Sequence, residues 1–110
     1  MINCFTFTYK TLIRKGYKFP PEFEGYELNN LKPVIANYQE LLDNKLHYAY
    51  FESFCYKVKT AQEDDIILHK DGVGIAVNKI MFVSILENPR RKILRPITNK
   101  HTIMRIGEEI

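Results

Sequence analysis

The stretch "IILHKDGVGIAV", residues 66–77, constrains the fold of this chain more than any other. Two apolar, β-forming runs flank Asp71 and Gly72, a dipeptide able to supply the positive φ values of a tight type I′ turn. The stretch therefore reads as a β-hairpin. Directly after it, "KIMFVSIL" is apolar on both strand parities, which marks a strand covered on both faces and hence central in its sheet.

Other strands emerge from the same punctuation. "KILRP" is a short strand stopped by Pro96, and "HTIMRI" is a last one. "LHYAYFESFCYKVKT" reads as a long aromatic strand followed by an acidic turn, "AQEDD". Near the start, "CFTFTY" alternates Phe5, Phe7 and Tyr9 against Cys4, Thr6 and Thr8, the period of a half-buried strand. "TLIRKGYKF" continues it into a second strand through Gly16, giving an extra N-terminal β-hairpin. Between these β-rich parts, Leu31, Val34, Ile35, Tyr38, Leu41 and Leu42 recur at spacings of three and four, which predicts an amphipathic helix over about residues 31–45. The expected fold is α+β. That helix packs on a strongly bent, mostly antiparallel sheet or a small SH3-like or Sm-like barrel. With 110 residues, the chain is expected to be a single domain, 1–110, around one core.

Several chemistries lack sequence support. No apolar run approaches the roughly 18 residues that span a bilayer, and "MINCFTFTYK" has no basic segment leading into an apolar one. A soluble cytoplasmic protein without a membrane partner is expected. His47, His69 and His101 are dispersed, with no thiol or carboxylate at zinc-motif spacing, so no metal and no cofactor is expected. Cys4 and Cys55 are far apart, with no Cys-x-x-Cys, and read as buried reduced thiols. "KDGVG" lies between two strands, so no helix N-terminus comes after it to cradle phosphate. "EDD", residues 63–65, reads as a solvated turn. No catalytic residue is assigned. A metal-free ribonuclease, built from histidine, tyrosine and arginine, is a third reading, because the residue types are present.

The piece "LHYAYFE" resembles the RNP1 signature of RNA-recognition motifs at Tyr48, Ala49 and Tyr50. It departs from that signature at Leu46, where Lys or Arg is usual, and at His47, where glycine is. The family is not assigned on this basis, and the rings of residues 48–56 are read as core ahead of a base-stacking platform.

Charge is distributed unevenly along the chain. Lys10, Arg14, Lys15 and Lys18 precede the first acid, the middle is acidic, and Arg90, Arg91, Lys92, Arg95, Lys100 and Arg105 form an acid-free run between Glu87 and Glu108. Arginine forks suit phosphate oxygens, and neutralised phosphates release counterions. The leading expectation is a small non-enzymatic module gripping the backbone of RNA or single-stranded DNA through Arg90, Arg91, Lys92, Arg95, Lys100 and Arg105, joined by Arg14, Lys15 and Lys18. An acidic protein would suit the same surface. In the alternative reading, "FPPEFEGYELNN" makes the chain a protein-binding inhibitor or adaptor with Phe19, Phe23 and Tyr26 as anchors. The Lys-, Asn- and Ile-rich composition suits a phage or mobile-element protein. The oligomeric state is left open, a homodimer included.

Overall fold

A computed structural model describes residues 4–20, 22–23, 26–27, 42–87 and 90–107. The fold is α+β: among the described residues, two complete helices pack on a six-stranded antiparallel sheet. Helix α1 spans Cys4–Arg14. A small hairpin, β1 (Glu22–Phe23) with β2 (Tyr26–Glu27), forms its own two-stranded sheet. Helix α2 (Leu46–Glu52) leads into β3 (Cys55–Lys57). The remaining strands are β4 (Ile66–His69), β5 (Gly72–Ala76), β6 (Met81–Glu87), β7 (Arg90–Pro96) and β8 (Thr102–Ile106).

Helix α1 replaces the expected N-terminal hairpin. The alternation in "CFTFTY" fits either period over so short a run, and the residues as far as Leu12 decide between them. Phe5, Thr8, Tyr9 and Leu12 stand at helical spacing and are all buried. Thr8 is a poor helix former, yet its hydroxyl donates to the Cys4 carbonyl at 2.8 Å, one turn back. Gly16, at φ 99°, closes the helix: its N–H donates to the Ile13 carbonyl and that of Tyr17 to Leu12.

The aromatic segment is likewise a helix rather than a long strand. His47, Tyr50 and Phe51 are buried on one face of α2, with Phe54 continuing the i, i+3, i+4, i+7 series. The RNP1-like piece is thus helical, and its rings are core. Phe5 lies 5.6 Å from Tyr50 and 5.8 Å from Phe51 between ring centroids. Phe19 meets Tyr9 at 5.3 Å and Phe54 at 5.0 Å. Each such ring, once buried, contributes about 1.5–3 kcal/mol. The helix expected over 31–45 lies outside the described residues except at its end, where Leu42 is buried.

The sheet order is β3-β8-β4-β5-β6-β7. It is open, with β3 and β7 at its edges, rather than closed into a barrel. The β4–β5 hairpin forms where expected but one residue out of step. His69 pairs with Gly72, so Lys70 and Asp71 make the turn, and positive φ occurs elsewhere, at Lys45, Asp64, Gly16 and Gly107. This register sends Ile66, Leu68, Val73 and Ile75 to the helix side, while Ile67 and Ala76 join Ala61 and Phe82 on the opposite face. Strand β6 is central to β5 and β7, as its two apolar faces require.

Two irregularities shape that opposite face. First, the ladder between β5 and β6 holds two residue pairs, Ile75 with Val83 and Ala76 with Phe82, whereas β6 and β7 pair from Met81 to Glu87. Beyond Gly74 the strands part, and the Ser84 hydroxyl bridges to the Val73 carbonyl at 3.1 Å. Second, β7 and β8 lie on either side of β4, β5 and β6, so residues 97–101 must cross those strands. The crossing is anchored by Ile97, whose N–H donates to the Ile80 carbonyl at 2.8 Å and whose side chain packs on the Ala61–Ile67–Ala76–Phe82 cluster.

Gly74 is what seats the Phe82 ring beneath this crossing. A Cβ at that position would stand 2.5 Å from the ring and 2.7 Å from the Val83 carbonyl oxygen, both inside van der Waals contact. We expect Gly74→Ala to lower the unfolding free energy by about 1–3 kcal/mol, measured by urea denaturation. An unchanged midpoint would show that Phe82 moves aside freely.

Candidate anion-binding cleft

The cations of the chain divide by the company they keep. Arg105, on β8, is committed to structure. Its Nε and Nη2 donate to the two carboxylate oxygens of Asp65 at 2.9 and 2.8 Å, and Nη2 also reaches the Thr60 carbonyl at 3.3 Å. Asp65 is buried and accepts the Gln62 N–H as well. Lys15 is engaged too: its Nζ lies 2.6 Å from Asp64 and 3.8 Å from Glu63. Hydrogen bonding to these carboxylates raises both the Arg105 and the Lys15 pKa above their ordinary values. The acidic turn expected to be merely solvated therefore neutralises two of the predicted binding residues.

The others stay outside such pairs. Among the described residues no ion pair engages Arg14, Lys18, Arg91, Lys92, Arg95 or Lys100, and all six are exposed. Arg90 pairs through its backbone with Glu87; its side chain lies outside the described residues. Strand parity divides the β7 cations as the alternation requires. Lys92 points to the helix side, its Nζ 5.7 Å from the centroid of the Phe7 ring on α1. That contact sets the side chain of Lys92 on β7 against helix α1. Arg14, seven residues after Phe7, falls on the same helix face about 10 Å further on. Arg91 and Arg95 take the opposite, open face.

On that face a cleft of about 490 Å³ lies between β7 and the 97–101 crossing. It is lined by Arg95 and Ile93 from β7, by Thr98, Lys100 and His101 from the crossing, and by Phe82 and Ser84 from β6. It runs along the split between β5 and β6, so Cys4 and Val73 from the helix side also border it. Asp71, at the β4–β5 turn, stands at its mouth. His69 and His101 adjoin at 5.4 Å between ring centroids, and His101 meets Phe82 edge-on at 4.9 Å.

The state of the two histidines is set by their Nδ1 partners. The Asp71 N–H donates to His69 Nδ1 at 3.2 Å, and the Thr98 N–H donates to His101 Nδ1 at 3.0 Å. A neutral imidazole has one lone-pair nitrogen, and in each ring a backbone amide occupies it. In its neutral form each ring therefore carries its proton on Nε2 and acts there as a donor. Burial, reinforced by the neighbouring His69, pushes the His101 pKa below its usual value. Rings of this kind suit an acceptor-rich ligand and are poorly placed to serve as a general base. Cys55 is no nucleophile either, since burial pushes its thiol up to about 12.

His47 supports the cleft from behind. Fully buried on α2, it donates from Nε2 to the His69 carbonyl at 2.7 Å. Its Nδ1 has no hydrogen-bond partner among the described residues, and burial pushes its pKa below the ordinary value. The protein-binding anchors fare less well: Phe19 is buried in the aromatic core, and the side chains of Phe23 and Tyr26 lie outside the described residues. Among the described residues no three His, Cys, Asp or Glu side chains converge as a metal site requires, and no helix is long and apolar enough to cross a membrane.

Neither the His69–His101 contact nor the cleft floor is legible in the sequence. The first depends on β8 pairing with β4, Leu68 opposite Thr102, which brings residues more than thirty positions apart side by side; the second depends on how β6 meets β5 at Gly74 and Val73. In comparisons with known proteins, the chain matches no family model, no curated sequence and no solved structure.

Arg105 and His47 each lead to a measurable outcome. Arg105→Gln leaves the buried Asp65 carboxylate without its cation and should cost about 3 kcal/mol of stability, read by urea unfolding. His47 must gain a proton on unfolding in acid. With its folded pKa depressed, its contribution to stability is intact above the unfolded value of about 6.5 and is lost as pH falls below it. The melting temperature should therefore drop on acidification from pH 7 to 5, and His47→Gln should flatten that slope.

Proposed function

We propose that this chain is a small, non-enzymatic binding module for the phosphate backbone of RNA or single-stranded DNA. The surface it uses is narrower than the basic run as a whole: Arg91, Arg95 and Lys100 on the open face, with Lys92 and Arg14 as a second row around the β7 edge. What carries the reading is that Arg95 and Lys100 flank one cleft, and no carboxylate among the described residues pairs with either. Arginine forks and a lysine point charge attract phosphates without reading bases. The donor-only histidines of the cleft favour binding over the metal-free ribonuclease reading. The module would work in the cytoplasm, with no membrane partner, and a phage or mobile-element origin is in keeping with its composition.

An acidic protein is the second reading. Strand β7 is an edge seven residues long, and its unpaired backbone groups could take an added strand whose carboxylates meet the same cations.

Salt dependence tests the first reading. Three phosphate contacts on a single strand predict a slope of log K against log salt of about −2, and Arg95→Gln with Lys100→Gln should reduce it to roughly −0.7. Affinity measured by fluorescence anisotropy on a labelled oligonucleotide checks this. A flat salt response, or binding indifferent to both substitutions, would remove the proposal.

A further inference from the structure

The cleft has more chemistry than a backbone track needs. A row of exposed cations would hold phosphates without any cavity, whereas here about 490 Å³ opens behind Arg95 and Lys100, within the roughly 300–1,000 Å³ typical of small-ligand sites. Its polarity is graded. Register sets Arg95 opposite Phe82, and Phe82 opposite Ala76, four residues along β5 from Gly72, so Arg95 lies about 13 Å along the strands from the turn that carries Asp71, with the His69–His101 pair on the Asp71 side. Between the two lie the apolar Ile67, Phe82 and Ile93, the first two themselves buried, together with the polar Ser84.

Resting on the nucleic-acid reading, we infer that this cleft is a subsite for one nucleoside phosphate unit of the bound strand. The phosphate sits between Arg95 and Lys100 and takes the Nε2–H of His101, a donor that stays charge-neutral and needs no proton uptake to bind. The base lies along Ile93, the half-buried apolar side chain of the cleft, with the buried Phe82 beneath it. Asp71, an acceptor at the mouth, suits a sugar hydroxyl or an exocyclic amine and repels a second phosphate there. The inferred ligand is thus bipolar, an anion at one end and a hydrogen-bond donor at the other. Inorganic phosphate or a free nucleoside alone satisfies half of the site.

Adenosine 5′-monophosphate, inorganic phosphate and adenosine are the probes, titrated into the isotopically labelled chain by NMR. The monophosphate should saturate with shifts confined to the cleft, at Arg95, Lys100, His101, His69, Phe82, Ile93 and Asp71, and should bind at least about tenfold tighter than either fragment. Arg95→Gln should abolish that advantage over adenosine, while Asp71→Asn should leave the phosphate contribution intact; retained amide dispersion shows that each variant is folded. Equal binding of adenosine and its monophosphate overturns the inference. If oligonucleotides bind with the expected salt slope but the monophosphate shifts nothing in the cleft, the subsite fails while the backbone reading stands. If neither binds, both fall.

Discussion

The Phe82 ring resting on Gly74 is the constraint from which the open face takes its form. Gly74 has no side chain, so the ring of the neighbouring strand lies across β5 and reaches the Ile67–Ala76 cluster. His101 then leans on the ring's edge, and the crossing from β7 to β8 is held at a fixed height above the sheet. The strands part just beyond this point, and the gap becomes the cleft. Packing, here, creates the cavity rather than filling it. A side chain at position 74 would contest the one place where the ring can sit.

Electrostatics then sorts the surface. Sixteen lysines and arginines face thirteen acids, yet the two predicted binding cations that meet carboxylates are those a stable core needs. Asp65 is buried because Arg105 satisfies both of its oxygens, with the Gln62 amide adding a third donor; without such partners a buried charge is costly. Asp64 likewise ties Lys15 and the Tyr17 hydroxyl to the loop before β4. Among the described residues, no carboxylate pairs with Arg91, Lys92, Arg95 or Lys100. The acid-free character of residues 88–107 in sequence therefore does not carry over to Arg105, which meets its carboxylate in space.

How much of this can be read from the residues alone depends on range. The β4–β5 hairpin, the central place of β6 and the opposite orientations of Lys92 and Arg95 all arise from local alternation and turns, and all three are present. The two helices pass for strands in the sequence because aromatic and β-branched residues favour strands by propensity, while their burial pattern has a period that only a longer window reveals. Phe5 through Leu12 and His47 through Phe54 each need eight residues to declare it. The His69–His101 pair and the Arg105–Asp65 clamp are beyond any local reading, since strand β8 inserts between β3 and β4 rather than beside β7.

That insertion has a consequence for assembly. The meander β4-β5-β6-β7 can zip from neighbour to neighbour, but it leaves the far side of β4 bare until the final strand doubles back across the sheet. Ile66, Ile67 and Leu68, fully buried in the finished molecule, stay sticky for that interval. During synthesis the chain thus carries an unfinished, oily seam until β8 has emerged, and that seam is where misfolding would begin.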